Sequence, residues 1–350
     1  MTWNEDAANG DTTFSPAMAE RVRTALLETY FKGSRVEDSN AEADLRHLHD
    51  HVRGRFDICR RWFMPWLRRV LDLNLSHVVE IGCGTGSTTA ALALDAREVD
   101  AYDIAGVSVE AARRRLQVMG LTNVRFHEHD PDHMLDGIRE RHSPQTVDCF
   151  VLFAVLEHQL LDERLATLKT CWSLLRPGGL LVVADTPNRL GWHDFHTSWL
   201  PFFDALPDDL ALRYADRSPR EDFRNEIAAA RARSDIDARL LLARSGRGVS
   251  YHEFELALGD VEPFIIGDGF DPEPLGFFGV SFETRMLFTY VKQKRLRVAP
   301  AFVRDTIEII LQKPGAEILH LRTTKRLDRS AEELDAIVGP VCFRYTQDAV

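Results

Sequence analysis

The sequence predicts an α/β protein with a doubly wound, mainly parallel seven-stranded sheet, preceded by helices and carrying a helical insertion. Segments with strand character alternate with segments of helical periodicity over roughly 110 residues after His77, which is the pattern of successive βαβ units. The runs "CFVLFAV" and "LLVVA" are apolar at every position, as expected of strands covered on both faces. A glycine-rich turn joins the first strand of this series to its first helix.

The segment before the sheet is predicted to be helical. Residues 1 to about 14 are polar and are expected to be mobile. From Ser15 to about Leu75, apolar residues recur at the spacing of several helices. The positions that carry this pattern are Leu45, Leu48, Val52, Phe56, Trp62, Trp66, Leu67 and Val70.

Five predicted strands and their helices follow in order. The first strand is "HVVEIGCG" and its helix is "STTAALALDA"; the second pair is "EVDAYDI" and "SVEAARRRLQVMG", closed by Gly120. The third strand is "NVRFHEHD" and the fourth is "TVDCFVLFAVLEH". The segment "ERLATLKTCWSLLRPGG" predicts a helix with a turn, and "LLVVADTP" predicts the fifth strand.

The alternation stops after the fifth strand. The charged segment "PREDFRNEIAAARARSDIDARLLLARSG" has helical character, and Phe223, Ile227, Ile236 and Leu240 are expected to form one apolar stripe. This part of the chain is interpreted as an insertion that caps the sheet. The runs "PFIIGDGF" and "TIEIILQKPG" are two further strands that could complete the sheet.

These patterns divide the chain into five predicted segments. They are an N-terminal helical segment (1–54), an α/β core (55–190), a lid and acceptor-binding insertion (191–258), the completion of the sheet (259–315) and a peripheral tail (316–350). In the tail, Ser330 and Glu333 predict a capping box for a short helix that Gly339 closes.

Composition excludes several classes of protein. The net charge of −11 argues against a nucleic-acid or anionic-membrane partner, because both require clustered positive charge. The cysteines are odd in number and scattered, so neither a disulfide framework nor a zinc site is predicted; they are Cys59, Cys83, Cys149, Cys171 and Cys342. The N-terminus lacks the pattern of a signal peptide, and no apolar run approaches the ~20 residues that cross a bilayer. We therefore expect a cytoplasmic protein with reduced thiols.

The glycine-rich turn predicts a ligand site. Glycines at 82, 84 and 86 allow positive φ angles and let the backbone approach a ligand closely. The following helix directs its free N–H groups to the same place. Nucleotide-binding folds place an acidic residue at the end of the second strand, where it binds ribose hydroxyls, and Asp103 stands there, about 20 positions after Gly82.

The same motifs resemble those of the class I S-adenosylmethionine-dependent methyltransferases. "VVEIGCGTG" is similar to their first motif, "DAYDIAGVSVEAARRR" to the second, "VRFHEHDPDHM" to the third, "VDCFVLFAVLEH" to the fourth, and "LLRPGGLLVVADTPN" to the sixth with its strand. The resemblance covers residues 55 to 190 and the two late strands. It implies a Rossmann-like fold and S-adenosylmethionine as cofactor, with S-adenosylhomocysteine as the product.

The resemblance also implies a set of cofactor-binding residues. Asp103 would accept hydrogen bonds from both ribose hydroxyls, Asp130 would meet the adenine amino group, and Glu80 would either contact the cofactor or order the loop as a buried carboxylate. Cys83 is interpreted as a small residue of the loop rather than as a nucleophile. The complete predicted set is Glu80, Gly82, Cys83, Gly84, Gly86, Asp103, Ile104, Asp130, Pro131, Phe153 and Ala154.

The stretch "TPNRLGWHDFHTSWLP" leaves the fifth strand at the edge where ligands bind in such sheets. His193 and His196 are candidate general bases, and Asp194 is a candidate for orienting an imidazole or binding a hydroxyl. The alternative is that all three residues anchor the lid, with their hydrogen bonds satisfied locally. As metal ligands they form an incomplete set, so no metal is predicted. His158 is interpreted as a structural residue at a helix start.

The predicted function is methyl transfer to a small-molecule acceptor. A hydroxyl acceptor needs a base whereas an amine or a thioether does not, so a base near the tip of the fourth or fifth strand would indicate O-methylation. The stretch "TPNRLGWHDFHTSWLP" also resembles strings beside the active site of bacterial methyltransferases that act on sugars, glycolipids or secondary metabolites. This resemblance favours O-methylation of a hydroxylated metabolite or a sugar, in a context of secondary metabolism. The alternatives are an N- or S-methyltransferase, a cofactor-binding protein without activity and, least favoured, a nicotinamide-dependent dehydrogenase. No nucleic-acid or membrane partner is predicted, and a homodimer is left open.

Overall fold

A single sheet of seven strands organises the protein. The computed structural model describes residues 14–269 and 282–315. The strands are β1 (His77–Ile81), β2 (Glu98–Asp103), β3 (Val124–Glu128), β4 (Val147–Phe153), β5 (Leu175–Pro187), β6 (Ile265–Gly267) and β7 (Thr306–Gln312). Their order across the sheet is β3-β2-β1-β4-β5-β7-β6. Strands β1 to β5 pair with one another in parallel, and β7 is antiparallel to both β5 and β6. The predicted mainly parallel seven-stranded sheet is therefore confirmed.

Helices cover both faces of the sheet. Before β1 lie α1 (Pro16–Leu27), α2 (Glu42–His49), α3 (Arg55–Ile58) and α4 (Met64–Arg68); between the parallel strands lie α5 (Ser87–Ala93), α6 (Gly106–Met119), α7 (Met134–Arg141) and α8 (Leu161–Leu174). After β5 come α9 (Asp208–Tyr214), α10 (Glu221–Arg233), α11 (Asp235–Arg244), α12 (Tyr251–Leu258) and α13 (Phe282–Gln293). Val78 and Val79, adjacent on β1, belong to two different buried clusters, so each face of the strand packs on its own helical layer.

The helices before β1 are joined to the glycine turn by a buried arginine. The π-helical turn Asp50–Gly54 connects α2 to α3. The guanidinium of Arg115, on α6, donates to the carbonyl oxygens of His51 and Val52 in this turn, and its Nε donates to the Thr85 carbonyl oxygen at 2.8 Å. Arg115 has no exposed surface. Its three contacts fix the N-terminal helices against the loop that follows β1.

The insertion has an apolar cluster of its own. Phe203, Phe223 and Ile227 are buried there with residues of α9 to α11. The predicted stripe is wrong for its second half, because Ile236 and Leu240 are 75% and 46% exposed. Ser234, in an extended conformation, ends α10 and caps α11, and this break turns the second helix so that Ala238 and Leu242 are buried instead.

Some element boundaries differ from those that the sequence predicts. β5 begins at Leu175, earlier than predicted, and the "RPGG" turn lies within an irregularity of the β4–β5 pairing. Phe14 is buried and packs on Phe56 at a ring-centroid distance of 4.7 Å. The expected mobility of residues 1–13, the tail after 315 with its capping box, and Cys342 lie outside the described residues. In the part of the chain that the structure describes, no helix is both long and apolar enough to cross a bilayer.

Asp100, on β2, is the centre of a buried ion-pair network. Its Oδ1 accepts from Arg125 Nε at 2.8 Å and pairs with His127 Nε2 at 2.7 Å, while Oδ2 accepts from Arg125 Nη2 at 2.8 Å and pairs with His77 Nε2 at 2.6 Å. Burial alone would raise the pKa of Asp100, but these hydrogen bonds outweigh it and hold the pKa well below its usual range.

Replacement of Asp100 by Asn is expected to lower the free energy of unfolding at pH 7 by roughly 2–3 kcal/mol, since hydrogen bonds to a charged group are lost. A carboxyl whose pKa is depressed in the folded state stabilises above its unfolded pKa of about 3.9, and loses that contribution as the pH falls further. The difference in unfolding free energy between the wild type and Asp100→Asn should therefore become smaller below about pH 4. Urea unfolding at pH 7 and at pH 3.5 measures this difference. A deficit that stays constant with pH would contradict an electrostatic origin. Asp57→Asn, which breaks a surface pair with Arg53, is the control.

Candidate functional site

The three glycines after β1 have distinct structural reasons. Gly82, Gly84 and Gly86 have φ angles of 78°, 50° and 79°. A Cβ on Gly82 would lie 2.5 Å from Val155 Cγ2, and a Cβ on Gly86 would lie 2.9 Å from the Cα of Ala112 on α6. A Cβ on Gly84 would meet no described atom within 4 Å. The first and third glycines thus allow close packing, whereas the second presents bare backbone to open space.

Asp103 is held in place by the loops on either side of it. Gly84 donates its N–H to Oδ2 at 2.7 Å, and Ala105 donates its N–H to Oδ1 at 2.9 Å. Each carboxylate oxygen keeps acceptor capacity for a second donor. The carboxylate is 8% exposed and lies at the carboxyl end of β2. This arrangement suits a ligand with two neighbouring hydroxyls, such as a ribose.

A cavity of about 540 Å³ opens beside this loop, within the usual size range for small-molecule sites. Eight of the predicted cofactor residues line it: Gly82, Cys83, Gly84, Asp103, Ile104, Pro131, Phe153 and Ala154. The lining also includes residues that the sequence did not assign to a site, namely Tyr30, His47, His51 and Arg55 from the N-terminal part of the chain, His158, Gln159 and Glu163 after β4, and Arg244 of α11. The contribution of the N-terminal helices depends on contacts distant in sequence, and periodicity alone gives no signal for it.

The remaining predicted cofactor residues lie away from the lining of this cavity. Gly86 packs against α6, as described above. Asp130 is exposed, and its Oδ1 accepts the N–H of Asp132 at 3.0 Å. Glu80 is 1% exposed and its Oε2 has no hydrogen-bond partner. Burial raises the pKa of Glu80 to about 7, a shift that Thr89 opposes and the charge of Asp103 reinforces. Contact of these three residues with a cofactor stays a prediction.

Two residues with left-handed backbone conformation lie just after β4 and near the end of β5, the second within an irregularity of the β5–β7 pairing. Ala154 has a φ of 54° and Asp185 has a φ of 53°. They are neighbours, because Ala154 donates its N–H to the Ala184 carbonyl oxygen at 2.9 Å. Strained non-glycine residues of this kind concentrate at functional sites.

Asp185 is a candidate functional residue that the sequence reasoning missed. It retains exposed surface, yet the surrounding protein raises the pKa of its carboxyl to about 6 by desolvation, which the charge of Arg55 partly offsets. Exposure together with desolvation is expected of a group in a recess, not of one on an open surface. The sequence offers one signal for Asp185, its place near the end of the fifth strand, where a base would indicate O-methylation.

Asp194 fixes the loop that contains the two predicted catalytic histidines. Its Oδ1 accepts the N–H groups of His196 and Thr197 at 3.0 and 2.7 Å, and its Oδ2 accepts the N–H and the hydroxyl of Ser198 at 2.6 and 2.7 Å. The residue is 3% exposed. These contacts anchor the loop, which is the structural alternative considered from the sequence, and in the described residues none of them goes to an imidazole. A catalytic role for Asp194 stays a prediction.

The two histidines of the stretch lie in different surroundings. His193 packs against Phe195 with ring centroids 4.3 Å apart, and its Nδ1 is buried without a hydrogen-bond partner. His196 lies beside His158, with centroids 5.3 Å apart. Burial and the neighbouring His158 lower the pKa of His196 to about 4, so this imidazole is neutral at pH 7. Neither His193 nor His196 lines the cavity described above, although His196 contacts a residue that does. Their catalytic role stays a prediction.

Comparison with known proteins assigns the central part of the chain. Residues 78–179 match a family model described as a methyltransferase domain. Ubiquinone biosynthesis O-methyltransferases are similar: that of Xylella fastidiosa is 27% identical over 128 residues, covering 36% of this chain and 48% of the relative. That of Xanthomonas euvesicatoria is 28% identical over 171 residues, covering 43% and 67%. The chain thus spans about half the length of the first of these relatives. A solved structure of magnesium protoporphyrin IX methyltransferase from Synechocystis, with bound S-adenosylmethionine, is 21% identical over 48% of this chain and 77% of that one, with a TM-score of 0.34.

Two features define a Rossmann-like cofactor-binding domain. One is the strand order with an antiparallel seventh strand, and the other is the glycine turn that faces an acid at the end of β2. With the family match, residues 78–179 are a methyltransferase domain of the class I, S-adenosylmethionine-dependent type. S-adenosylmethionine is the cofactor of this domain. The residues present fit it, since bare backbone at Gly84 and free acceptor capacity on Asp103 border the same cavity.

Proposed function

We propose that the protein transfers a methyl group from S-adenosylmethionine to a hydroxyl oxygen of a small hydroxylated metabolite or sugar. The observation that supports this most directly is the position of Asp185 near the end of β5. Asp185 does not line the cavity itself, but Ala184, the residue before it, accepts a hydrogen bond from Ala154 of the cavity wall. A hydroxyl must lose its proton to become an effective nucleophile, so its methylation calls for a base near the methyl group. An amine or a thioether acceptor would not.

The carboxyl of Asp185 suits the role of this base. A pKa of about 6 leaves it mostly ionised at pH 7 while keeping it a stronger base than an ordinary carboxylate. Its left-handed conformation at a strand end adds a structural indication of function. Asp185 therefore replaces His193 and His196 as the first candidate for the general base.

The other residues of the site would bind and orient the reactants. The bound cofactor supplies an activated methyl group, for in-line transfer to a nucleophile. Asp103 would accept hydrogen bonds from its ribose, and the backbone at Gly84 would lie against it. Phe153 and Ala154 would form the wall next to the methyl group and exclude water from it. Asp185 would accept the proton of the acceptor hydroxyl as the new carbon–oxygen bond forms.

We assign the acceptor side of the site to the insertion, residues 191–258, acting as a lid over the core. Arg244 of α11 lines the cavity and pairs with Glu163 of α8 in a two-pronged contact, with Nη2 to Oε1 at 2.6 Å and Nη1 to Oε2 at 2.5 Å. This contact supports an insertion that is held over the mouth of the cofactor cavity. The names of the curated relatives, all O-methyltransferases, support the same type of chemistry.

The proposed function is tested by measuring S-adenosylhomocysteine release with a panel of phenols, sugars, amines and thiols. We expect turnover with hydroxyl acceptors only. The cofactor is checked separately by thermal unfolding, because a ligand at 100 times its dissociation constant stabilises by roughly 2.7 kcal/mol. S-adenosylhomocysteine should stabilise the protein and NADH should not. Turnover confined to amines or thiols would overturn the assignment of O-methylation, and stabilisation by NADH alone would overturn the cofactor.

A further inference from the structure

We propose that Glu157, His158 and His196 form a binding site for a divalent transition-metal ion. One ligand atom from each of these side chains lies within 4.8 Å of the other two. Two ligands at about 2.1 Å from a tetrahedral ion are about 3.4 Å apart, so small side-chain rotations would complete the site. Two imidazoles with one carboxylate are a ligand set that zinc, cobalt and iron(II) favour.

The carboxylate of Glu157 has an oxygen without a partner. Glu157 is fully buried. Its Oε2 accepts the hydroxyl of Thr186 at 3.3 Å, whereas Oε1 has no hydrogen bond and lies 3.9 Å from His158 Nε2. An unsatisfied buried carboxylate oxygen is costly. A cation between Oε1 and the imidazoles would remove that cost, and the Thr186 hydroxyl already orients the carboxylate towards it.

Both imidazoles are oriented by a second hydrogen bond, as metal-binding histidines are. His158 Nδ1 lies 3.0 Å from the carbonyl oxygen of Arg244, so Nδ1 carries the proton and Nε2 has a free lone pair near Glu157. The Thr197 hydroxyl donates to the Ser245 carbonyl oxygen at 3.0 Å, which leaves its oxygen to accept from His196 Nδ1 at 3.5 Å. In each ring, one nitrogen is occupied and the other is available as a ligand.

The backbone at Gly246 allows the two rings to approach each other. A Cβ at this position would lie 2.2 Å from His196 Cε1 and 3.1 Å from His158 Cε1. The φ angle of Gly246 is 95°, which other residues rarely adopt. A bare backbone in the chain after α11 thus accommodates both imidazoles, one from the turn after β4 and one from the insertion.

A second cluster, also of two histidines and one carboxylate, lacks these properties. His77, Asp100 and His142 also lie within ligand distance of one another. Each oxygen of Asp100, however, already has two partners, and His142 Nε2 is 2.9 Å from the Tyr102 hydroxyl. That cluster is a completed hydrogen-bond network and provides an internal control for the one at Glu157.

The ion would join two parts of the chain and border the cavity. Glu157 and His158 follow β4, His196 belongs to the insertion, and His158 lines the cofactor cavity. Three protein ligands would leave a coordination position open. If the proposed O-methylation holds, an acceptor oxygen could occupy this position. The ion-binding site itself does not depend on that activity. It also differs from the incomplete set of His193, Asp194 and His196 considered from the sequence.

The test is direct titration of the full chain, stripped with a chelator, with zinc chloride or cobalt chloride alone. We expect one ion bound per chain by calorimetry and by elemental analysis, with cobalt giving the visible absorption of a low-coordinate site. Glu157→Gln and His196→Ala should each weaken binding by about 100-fold or more. His142→Ala, in the control cluster, and His193→Ala, in the same loop as His196, should leave both stoichiometry and affinity unchanged.

A milder variant guards against loss of folding. Thr197→Val keeps the shape of the side chain but removes the hydrogen-bond acceptor for His196 Nδ1. This variant should lower the affinity for the ion by about 10-fold. Absence of binding at millimolar ion would refute the site, as would equal affinity in the wild type and in folded Glu157→Gln and His196→Ala. Neither result would bear on S-adenosylhomocysteine release, so the two proposals fail separately.

Discussion

Replacement of Asp103 by Ala is expected to raise the dissociation constant for S-adenosylhomocysteine by at least about 100-fold. The carboxylate would accept hydrogen bonds from both ribose hydroxyls, and a bond to a charged group contributes roughly 1.5–3 kcal/mol. Loss of two such bonds therefore removes about 3 kcal/mol or more, which corresponds to a factor of at least 100 in affinity. The substitution also releases the N–H groups of Gly84 and Ala105, so the turn itself would lose its support. Isothermal titration with S-adenosylhomocysteine measures the effect.

Two further variants separate recognition from folding. Asp103→Asn keeps one acceptor oxygen and should show an intermediate loss of affinity. Asp209→Ala, which removes an exposed carboxylate paired with Arg239, should bind the cofactor as the wild type does. If Asp103→Ala is folded by circular dichroism and binds with unchanged affinity, the ribose of the cofactor does not lie at the end of β2.

The sheet and the cofactor loop could be predicted from the sequence because local patterns specify them. The central strands β4 and β5 carry continuously apolar runs, and Gly82 and Gly86 are fixed by positive φ angles and close contacts that only glycine allows. The acid at the end of β2 follows from the same regularity. Each of these signals resides within a few residues of the chain, so no knowledge of distant contacts was required.

The acceptor side could not be predicted in the same way, because distant contacts decide it. Polar residues between Asp194 and Ser198 suggested chemistry, yet Asp194 satisfies its hydrogen bonds within its own loop. The partners of His196 are His158, which lies almost forty positions earlier in the chain, and Gly246, which lies fifty positions later. The periodicity of the sequence around His196 indicates neither of these two contacts.

Asp185 illustrates a different limit. The strand "LLVVADTP" was recognised, but the left-handed conformation of its acid was not, because aspartate tolerates both the extended and the left-handed regions. That backbone angle determines which way the side chain points. A strand end therefore predicts that a functional residue is near, while the choice among Asp185, His193 and His196 depends on coordinates.

Replacement of Asp185 by Asn is expected to lower kcat by about 10²- to 10⁴-fold, the usual contribution of a general base. The amide has nearly the same shape as the carboxylate but cannot take the proton of the acceptor. Affinity for S-adenosylhomocysteine should stay unchanged, because Asp103 and the glycine loop bind the cofactor. Single-turnover kinetics with the best hydroxyl acceptor, together with cofactor titration, measure the two effects separately. Asp222→Asn, an exposed acid of the insertion paired with Arg220, is the matched control.

The pH dependence of the rate distinguishes a base from a merely structural residue. Desolvation raises the pKa of Asp185 to about 6, against the charge of Arg55. The charge of Asp185 in turn adds to the burial that raises the pKa of Glu157 and of the Cys59 thiol. Only the ionised form of Asp185 accepts a proton, so kcat/KM of the wild type should be level above the pKa of Asp185 and fall tenfold per unit below it. In Asp185→Asn this acid limb should be absent and the residual rate flat across the same range. A variant that is slow but keeps the limb near pH 6 would assign the base to another group, and wild-type kcat in folded Asp185→Asn would remove the main support for a hydroxyl acceptor.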